Sequence, residues 1–117
     1  MKSLKEVMKA TYGNGKEDIV LHGGDIATQQ GYTNIPNHVL YSGIISSNAK
    51  LVYTMLLSYA YTRNHVFPGQ ERLAKQCGMS VRTVYTALQE LDTQHFITVV
   101  HRGQGRTNLY VLHFQKR

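Results

Sequence analysis

Hydrophobic residues in the middle of the chain recur at helical spacing in three consecutive segments. The first segment, "SSNAKLVYTMLLSYAYT", begins at Ser46 with hydroxyl and amide side chains that can cap free backbone N–H groups. Its apolar positions follow the i, i+3, i+4 pattern of a helix with one buried face: Ala49, Val52, Tyr53, Leu56, Leu57 and Ala60. This pattern predicts a core helix.

Two further helices are predicted on either side of a glycine. After the break at Pro68 and Gly69, one runs from about Gln70 to Cys77, and the next runs to about Gln94. Gly78 can take the positive φ that ends the first of them, and Ser80 can cap the second. The predicted buried positions are Leu73, Ala74 and Cys77, then Val84, Ala87, Leu88 and Leu91.

The C-terminal part is rich in β-branched and aromatic residues. "FITVVH" at 96–101 and "LYVLHF" at 109–114 are predicted strands, and "RGQGRTN" between them supplies turn glycines and a basic tip. The resulting order is helix, helix, tight turn, helix, hairpin. It predicts an α+β, mainly α fold, the winged helix-turn-helix: a three-helix core with a C-terminal two-stranded wing.

The segments before this core have weaker patterns. A short helix is expected at 2–10, a short strand at 19–22, and another short helix at "IPNHVL", where Pro36 suits a first turn. We therefore expect a short N-terminal extension at 1–31, serving as a dimerisation or packing arm, and a winged-helix domain at 32–117.

Charge adds an indication about the partner. The 117 residues include 13 Lys+Arg against 7 Asp+Glu, a formal net charge of +6, which favours an anionic partner such as nucleic acid. No apolar run reaches the roughly 20 residues of a membrane span, and the charged N-terminal sequence does not resemble a signal peptide. A cytoplasmic protein without membrane contact is expected, with its single cysteine, Cys77, as a small buried residue.

The third core helix has a polar face suited to DNA. At 100° per residue, Arg82, Thr86 and Gln89 fall opposite the buried face defined by Val84, and Tyr85 and Thr83 flank them. Arg can pair with guanine and Gln with adenine, while Thr can hydrogen-bond to a base edge or contact a thymine methyl group. A solvated helix face is the alternative explanation of the same pattern.

Further residues are expected to contact the DNA backbone. The N-terminus at Ser80 leaves free N–H groups and the positive end of the helix dipole, which suit a phosphate. Lys75 precedes the turn, and Arg102 and Arg106 lie on the predicted wing tip, where they can approach phosphates or a minor groove.

Catalytic and metal sites are not indicated. The six histidines are far apart and no cysteine cluster accompanies them, so neither a metal nor another cofactor is expected. No phosphate-binding glycine loop, nucleophile elbow or paired carboxylates appear at a recognisable spacing, so no enzymatic activity is expected.

The stretches "FPGQERLA", "GMSVRTV" and "RGQGRTNLYVL" carry a family resemblance. From about Tyr32 to Leu112 the chain resembles the winged-helix domain at the N-termini of bacterial plasmid and phage replication initiators. The resemblance implies binding to duplex DNA at a replication origin or operator, frequent dimerisation, and a further domain that handles replisome partners. The positions it transfers are Ser80, Arg82, Thr83, Tyr85 or Thr86, Arg102 and Arg106.

Two departures accompany the resemblance. The sequence ends just after the predicted wing, which is consistent either with a fragment of a longer initiator or with a small stand-alone regulator. His95 stands where a glycine usually precedes the first wing strand, which predicts a longer or strained turn.

The sequence thus predicts specific binding of double-stranded DNA in plasmid or phage replication initiation. The expected protein is a homodimer associated with the nucleoid or a plasmid, with a replisome protein as a further partner. Two alternatives stay open: a transcriptional repressor at an operator, and a winged-helix protein-interaction module without DNA recognition.

Overall fold

The computed structural model describes residues 19, 30–62, 68–101, 103 and 109–113. The chain divides into two units, Met1–Tyr32 and Thr33–Arg117. In the first unit Ile19 is exposed and belongs to no regular element. The predicted helix at 2–10 and the remainder of the predicted strand at 19–22 lie outside the described residues.

The described part of the second unit contains a short helix, three longer helices and a hairpin. The helices are α1 (Asn37–Leu40), α2 (Ser47–Thr62), α3 (Gln70–Cys77) and α4 (Val81–Thr93); the strands are β1 (Ile97–Val100) and β2 (Leu109–Leu112). The strands pair antiparallel with Ile97 opposite Leu112 and Val100 opposite Leu109. The predicted winged helix-turn-helix fold is confirmed, with α2, α3 and α4 as its three helices and β1–β2 as its wing.

Some boundaries differ from the prediction. Pro36 lies just before α1 in an extended conformation rather than within its first turn. The described strands are shorter than predicted, because Phe96 belongs to the turn after α4 and His101 and His113 lie outside the ladder. Phe114, the last residue of the second predicted strand, lies outside the described residues. Residues 102 and 104–108, which include most of the predicted wing tip, lie outside the described residues.

The core forms where α2, α3 and α4 pack together and the base of the hairpin covers them. The most deeply buried side chains are Tyr53, Leu57, Leu73, Leu91, Ile97, Val39, Val52 and Val84. Every residue that the sequence predicted as buried on α3 and α4 is buried. Cys77 is one of these core residues, and burial raises the pKa of its thiol.

A carboxylate on α4 holds the start of α2. Ser46 donates its backbone N–H to Glu90 Oε2 at 2.5 Å and its hydroxyl to Oε1 at 2.7 Å. The Ser46 Oγ in turn accepts the backbone N–H of Ala49 at 3.1 Å, which caps α2. Glu90 therefore places a negative charge at the helix N-terminus and fixes α4 against α2.

The hairpin is attached to the core by Tyr53. The Tyr53 hydroxyl donates to the carbonyl oxygen of His113 at 2.8 Å, and the backbone N–H of His113 donates to the carbonyl of Phe96 at 3.0 Å. The His113 ring contacts Thr98 Oγ1 through Nε2 at 2.7 Å. Burial, with a smaller contribution from Tyr61, raises the pKa of Tyr53 to about 12.

Candidate nucleic-acid interface

The turn between α3 and α4 is built around a left-handed glycine. Gly78 has φ 69° and ψ 36°, and its N–H donates to the carbonyl of Lys75 at 3.2 Å. Met79 donates to the carbonyl of Ala74 at 3.0 Å and packs partly against the core. These two hydrogen bonds form a Schellman motif, which ends α3 and turns the chain within three residues. The role predicted for Gly78 is confirmed.

Ser80 begins the next helix. Its Oγ accepts the backbone N–H of Thr83 at 3.1 Å and lies 2.8 Å from the Thr83 hydroxyl. This side-chain cap confirms the predicted helix start. Because the cap uses the N–H of Thr83, the N–H groups of Val81 and Arg82 are the ones left facing outward at this helix end.

The polar face predicted for α4 is exposed. Arg82, Tyr85, Thr86 and Gln89 all lie on the surface, whereas Thr83 is half-buried beside Ser80. The opposite face of the helix is buried in the core. The structure thus gathers the four exposed side chains on one surface, here called the α4 face and defined as Arg82, Tyr85, Thr86 and Gln89.

Cations on α3 precede the turn. Lys75 and Arg72 are exposed, and the Arg72 guanidinium carbon lies 6.0 Å from the centre of the Tyr59 ring. Tyr59 is itself fixed, because its hydroxyl donates to Gln76 Oε1 at 2.9 Å. The Arg72 guanidinium is therefore within cation–π distance of an anchored ring. Arg102 and Arg106, the predicted wing cations, lie outside the described residues.

Two residues of α4 that bear on the site, Val81 and Glu90, were not among the predicted site residues. Val81, the first residue of the helix, has 41% of its surface exposed. On a helical wheel it lies only about 60° from Val84, so the sequence pattern left its orientation ambiguous. Glu90 was missed because its partner Ser46 is 44 positions away in the sequence.

Neither a metal site nor a membrane helix is found in the described part of the chain. No group of three or more histidine, cysteine or acidic side chains there could hold a metal ion. Among the same residues, the helices are too short or too polar to span a bilayer.

Comparison with known families supports the assignment that this geometry suggests. Residues 43–97, a little under half of the chain, match a family model described as a helix-turn-helix domain. The match extends from just before α2 to the first residue of β1, so it includes both helices of the turn. It supports a helix-turn-helix DNA-binding domain in this chain. No curated protein and no solved structure matches the chain significantly.

Proposed function

We propose that the protein is a sequence-specific double-stranded DNA-binding protein that recognises an origin in plasmid or phage replication. The observation that carries the proposal is the α4 face, which presents Arg, Tyr, Thr and Gln side chains beside a tight helix-turn-helix. In this class of fold the second helix enters the major groove, and its N-terminal residues contact base edges. The excess of basic residues adds sequence-independent attraction to phosphates.

The proposal gives each side chain a separate role. Arg82, Thr86 and Gln89 contact bases, since their donors and acceptors match base edges in the major groove. Tyr85 flanks them and contacts the sugar-phosphate edge of the groove. The cap formed by Ser80 and Thr83 directs the first N–H groups of α4 at a phosphate.

Backbone contacts on either side of α4 complete the interface. Lys75 on α3 neutralises a phosphate, and the wing residues Arg102 and Arg106 approach the backbone or the minor groove. The proposal includes no catalytic reaction and no cofactor.

The biological setting of the proposal comes from the resemblance to replication initiators. It implies a homodimer on repeated or inverted sites, contact with a replisome protein, and a location on the plasmid or nucleoid. A transcriptional repressor would use the same α4 face on an operator. Footprinting on the replicon distinguishes the two, because protection of an origin or of a promoter identifies the site.

A second class of function is favoured by a different observation. Tyr41 and Ile44, between α1 and α2, are exposed to 76% and 62%. Large apolar side chains exposed three positions apart in the chain suit a protein partner. A winged-helix interaction module is therefore the competing proposal, and it predicts no preference among nucleic acids.

Fluorescence anisotropy tests the DNA-binding proposal. The full chain is titrated onto a random duplex, duplexes covering its own replicon, and a single strand, each over a series of salt concentrations. The proposal expects one duplex to bind at least a thousandfold more tightly than the random duplex, with affinity falling as salt rises. Equal and weak binding to all three nucleic acids would contradict it and favour the interaction module.

A further inference from the structure

The first turn of α4 presents an apolar surface beside the proposed base-contacting side chains. Val81 is 41% exposed and Tyr85, one turn further along the same side of the helix, is 52% exposed. Arg82 follows Val81 directly in the chain and is also exposed. An apolar strip therefore runs next to the polar strip of Arg82 and Gln89.

Val81 is held in a defined position by the elements on either side of it. The Schellman motif at Gly78 fixes the chain before it, and the Ser80 cap fixes the helical turn to which it belongs. A valine in a helix has one strongly preferred side-chain rotamer. The exposed part of Val81 therefore has little side-chain conformational freedom to lose on binding.

We infer that Val81 is a specificity-determining residue that contacts the C5-methyl group of a pyrimidine in the major groove. This inference rests on the proposed function, since it assumes that α4 enters that groove. The C5-methyl is the apolar feature of the major-groove surface, and small apolar side chains contact it directly. Residues at the N-terminus of a recognition helix are those that approach base edges most closely.

Two bases can supply this methyl group, namely thymine and 5-methylcytosine. The shared chemistry is a methyl on C5 of the pyrimidine ring, and Val81 contacts it without hydrogen bonding. Arg82, one position along, suits an adjacent guanine. The bound sequence therefore contains, close to the guanine that Arg82 contacts, a thymine or a cytosine that can carry a C5-methyl group.

Base analogues test the inference without altering the protein. A duplex is first selected from a random-sequence library with the full wild-type chain, and its thymines are then replaced by uracil one at a time. Each uracil removes one methyl group and leaves base pairing unchanged. In parallel, each cytosine of the selected duplex is replaced by 5-methylcytosine.

We expect the modification to change the binding affinity at one pyrimidine position of the duplex. Uracil there weakens binding of the wild-type chain about fourfold, the fold-change that corresponds to one buried methyl-sized group. If the position is a cytosine, 5-methylcytosine strengthens binding by a similar factor. Val81→Ala abolishes this methyl dependence, whereas the control Val111→Ala, at a β2 residue of 38% exposure, preserves it.

Failure of this inference and failure of the proposed function give different results. If no duplex is enriched over random sequence, the proposed function fails. If a duplex is enriched but no methyl position affects affinity, or if Val81→Ala keeps the full methyl dependence, the proposed function stands and the inference about Val81 is overturned.

Discussion

The backbone at His95, the second residue after α4, is strained. His95 has φ 65°, a left-handed conformation that costs a residue with a Cβ about 1–2 kcal/mol. Its N–H donates to the carbonyl of Asp92, and Phe96 donates to the carbonyl of Leu91. This is the same Schellman motif that Gly78 forms after α3, with histidine in the glycine position. Of the longer or strained turn predicted at His95, the structure shows the strained form.

His95→Gly is expected to stabilise the domain by about 0.5–1 kcal/mol. Glycine removes the strain of the positive φ. Part of this stabilisation is lost, because glycine also increases the conformational entropy of the unfolded chain. Urea denaturation followed by circular dichroism measures the change. Gly78→Ala is the reciprocal variant and should destabilise by about 1–2 kcal/mol, because a Cβ there meets no atom within 4 Å and only the backbone conformation opposes it. Equal stability of wild type and His95→Gly would contradict the argument.

Tyr53 should make stability depend on alkaline pH. Its pKa is raised to about 12 in the folded protein, whereas an unfolded tyrosine titrates near 10. Above pH 10 the unfolded state therefore loses its proton first, and the free energy of unfolding falls as pH rises from 10 towards 12. Below pH 10 this contribution is fully present.

Tyr53→Phe is the variant that isolates this effect. It removes the hydrogen bond to the carbonyl of His113 and should cost about 1 kcal/mol at neutral pH. Chemical denaturation of both proteins between pH 8 and 11.5 measures the difference. The wild-type advantage is expected to shrink above pH 10, and a constant difference across the range would contradict the role given to Tyr53.

Among the elements, α4 and the start of α2 are joined by a polar contact in addition to their apolar packing. Glu90 accepts two hydrogen bonds from Ser46 and thereby joins two helices that are distant in sequence. The Glu90 carboxylate therefore lies at the N-terminus of α2. A phosphate at that helix end is disfavoured as a result, whereas the first turn of α4 contains no acidic residue.

Glu90→Ala is expected to destabilise the domain by about 1–2 kcal/mol. The variant removes hydrogen bonds to a charged acceptor and leaves the Ser46 N–H without its protein partner. Asp92→Ala is the matched control, because it removes one negative charge from the exposed surface of the same helix. Thermal unfolding of both variants at low and high salt separates the contact from the charge. Equal melting temperatures for the two variants would show that the Ser46 contact contributes nothing.

The elements also show which features the sequence could predict. The helices, the Gly78 turn and the Ser80 cap depend on residues within about four positions of one another, so local pattern was sufficient. The links from Glu90 to Ser46 and from Tyr53 to His113 cross 44 and 60 positions, and no local signal encodes them. The strand at 96–101 was predicted too long because Phe96 is buried within the Schellman turn, and its apolar character alone resembles that of a strand residue.

The candidate site could be predicted to a similar extent. The helical wheel correctly assigned Arg82, Thr86 and Gln89 to the exposed side, since the period of the buried residues determines the opposite face. It could not show that the Thr83 hydroxyl is engaged by Ser80, which depends on the rotamers of both side chains.

For the whole molecule, the net charge of +6 implies that DNA binding depends strongly on salt. Lys75→Ala is expected to weaken binding to the selected duplex and to a random duplex by the same factor, because a phosphate contact is independent of sequence. The slope of log affinity against log salt should fall by about one. Binding isotherms at four salt concentrations measure it. A loss confined to the selected duplex would instead place Lys75 at a base.

The central claim is that α4 recognises DNA sequence, and Arg82→Ala tests it most directly. The measurement is the affinity of wild type and variant for the selected duplex and for a random duplex at one salt concentration. We predict that the variant loses about 1–3 kcal/mol on the selected duplex and much less on the random one, so that the ratio of the two affinities falls. An equal loss on both duplexes would reassign Arg82 to a phosphate, and no loss on either would contradict recognition through the α4 face.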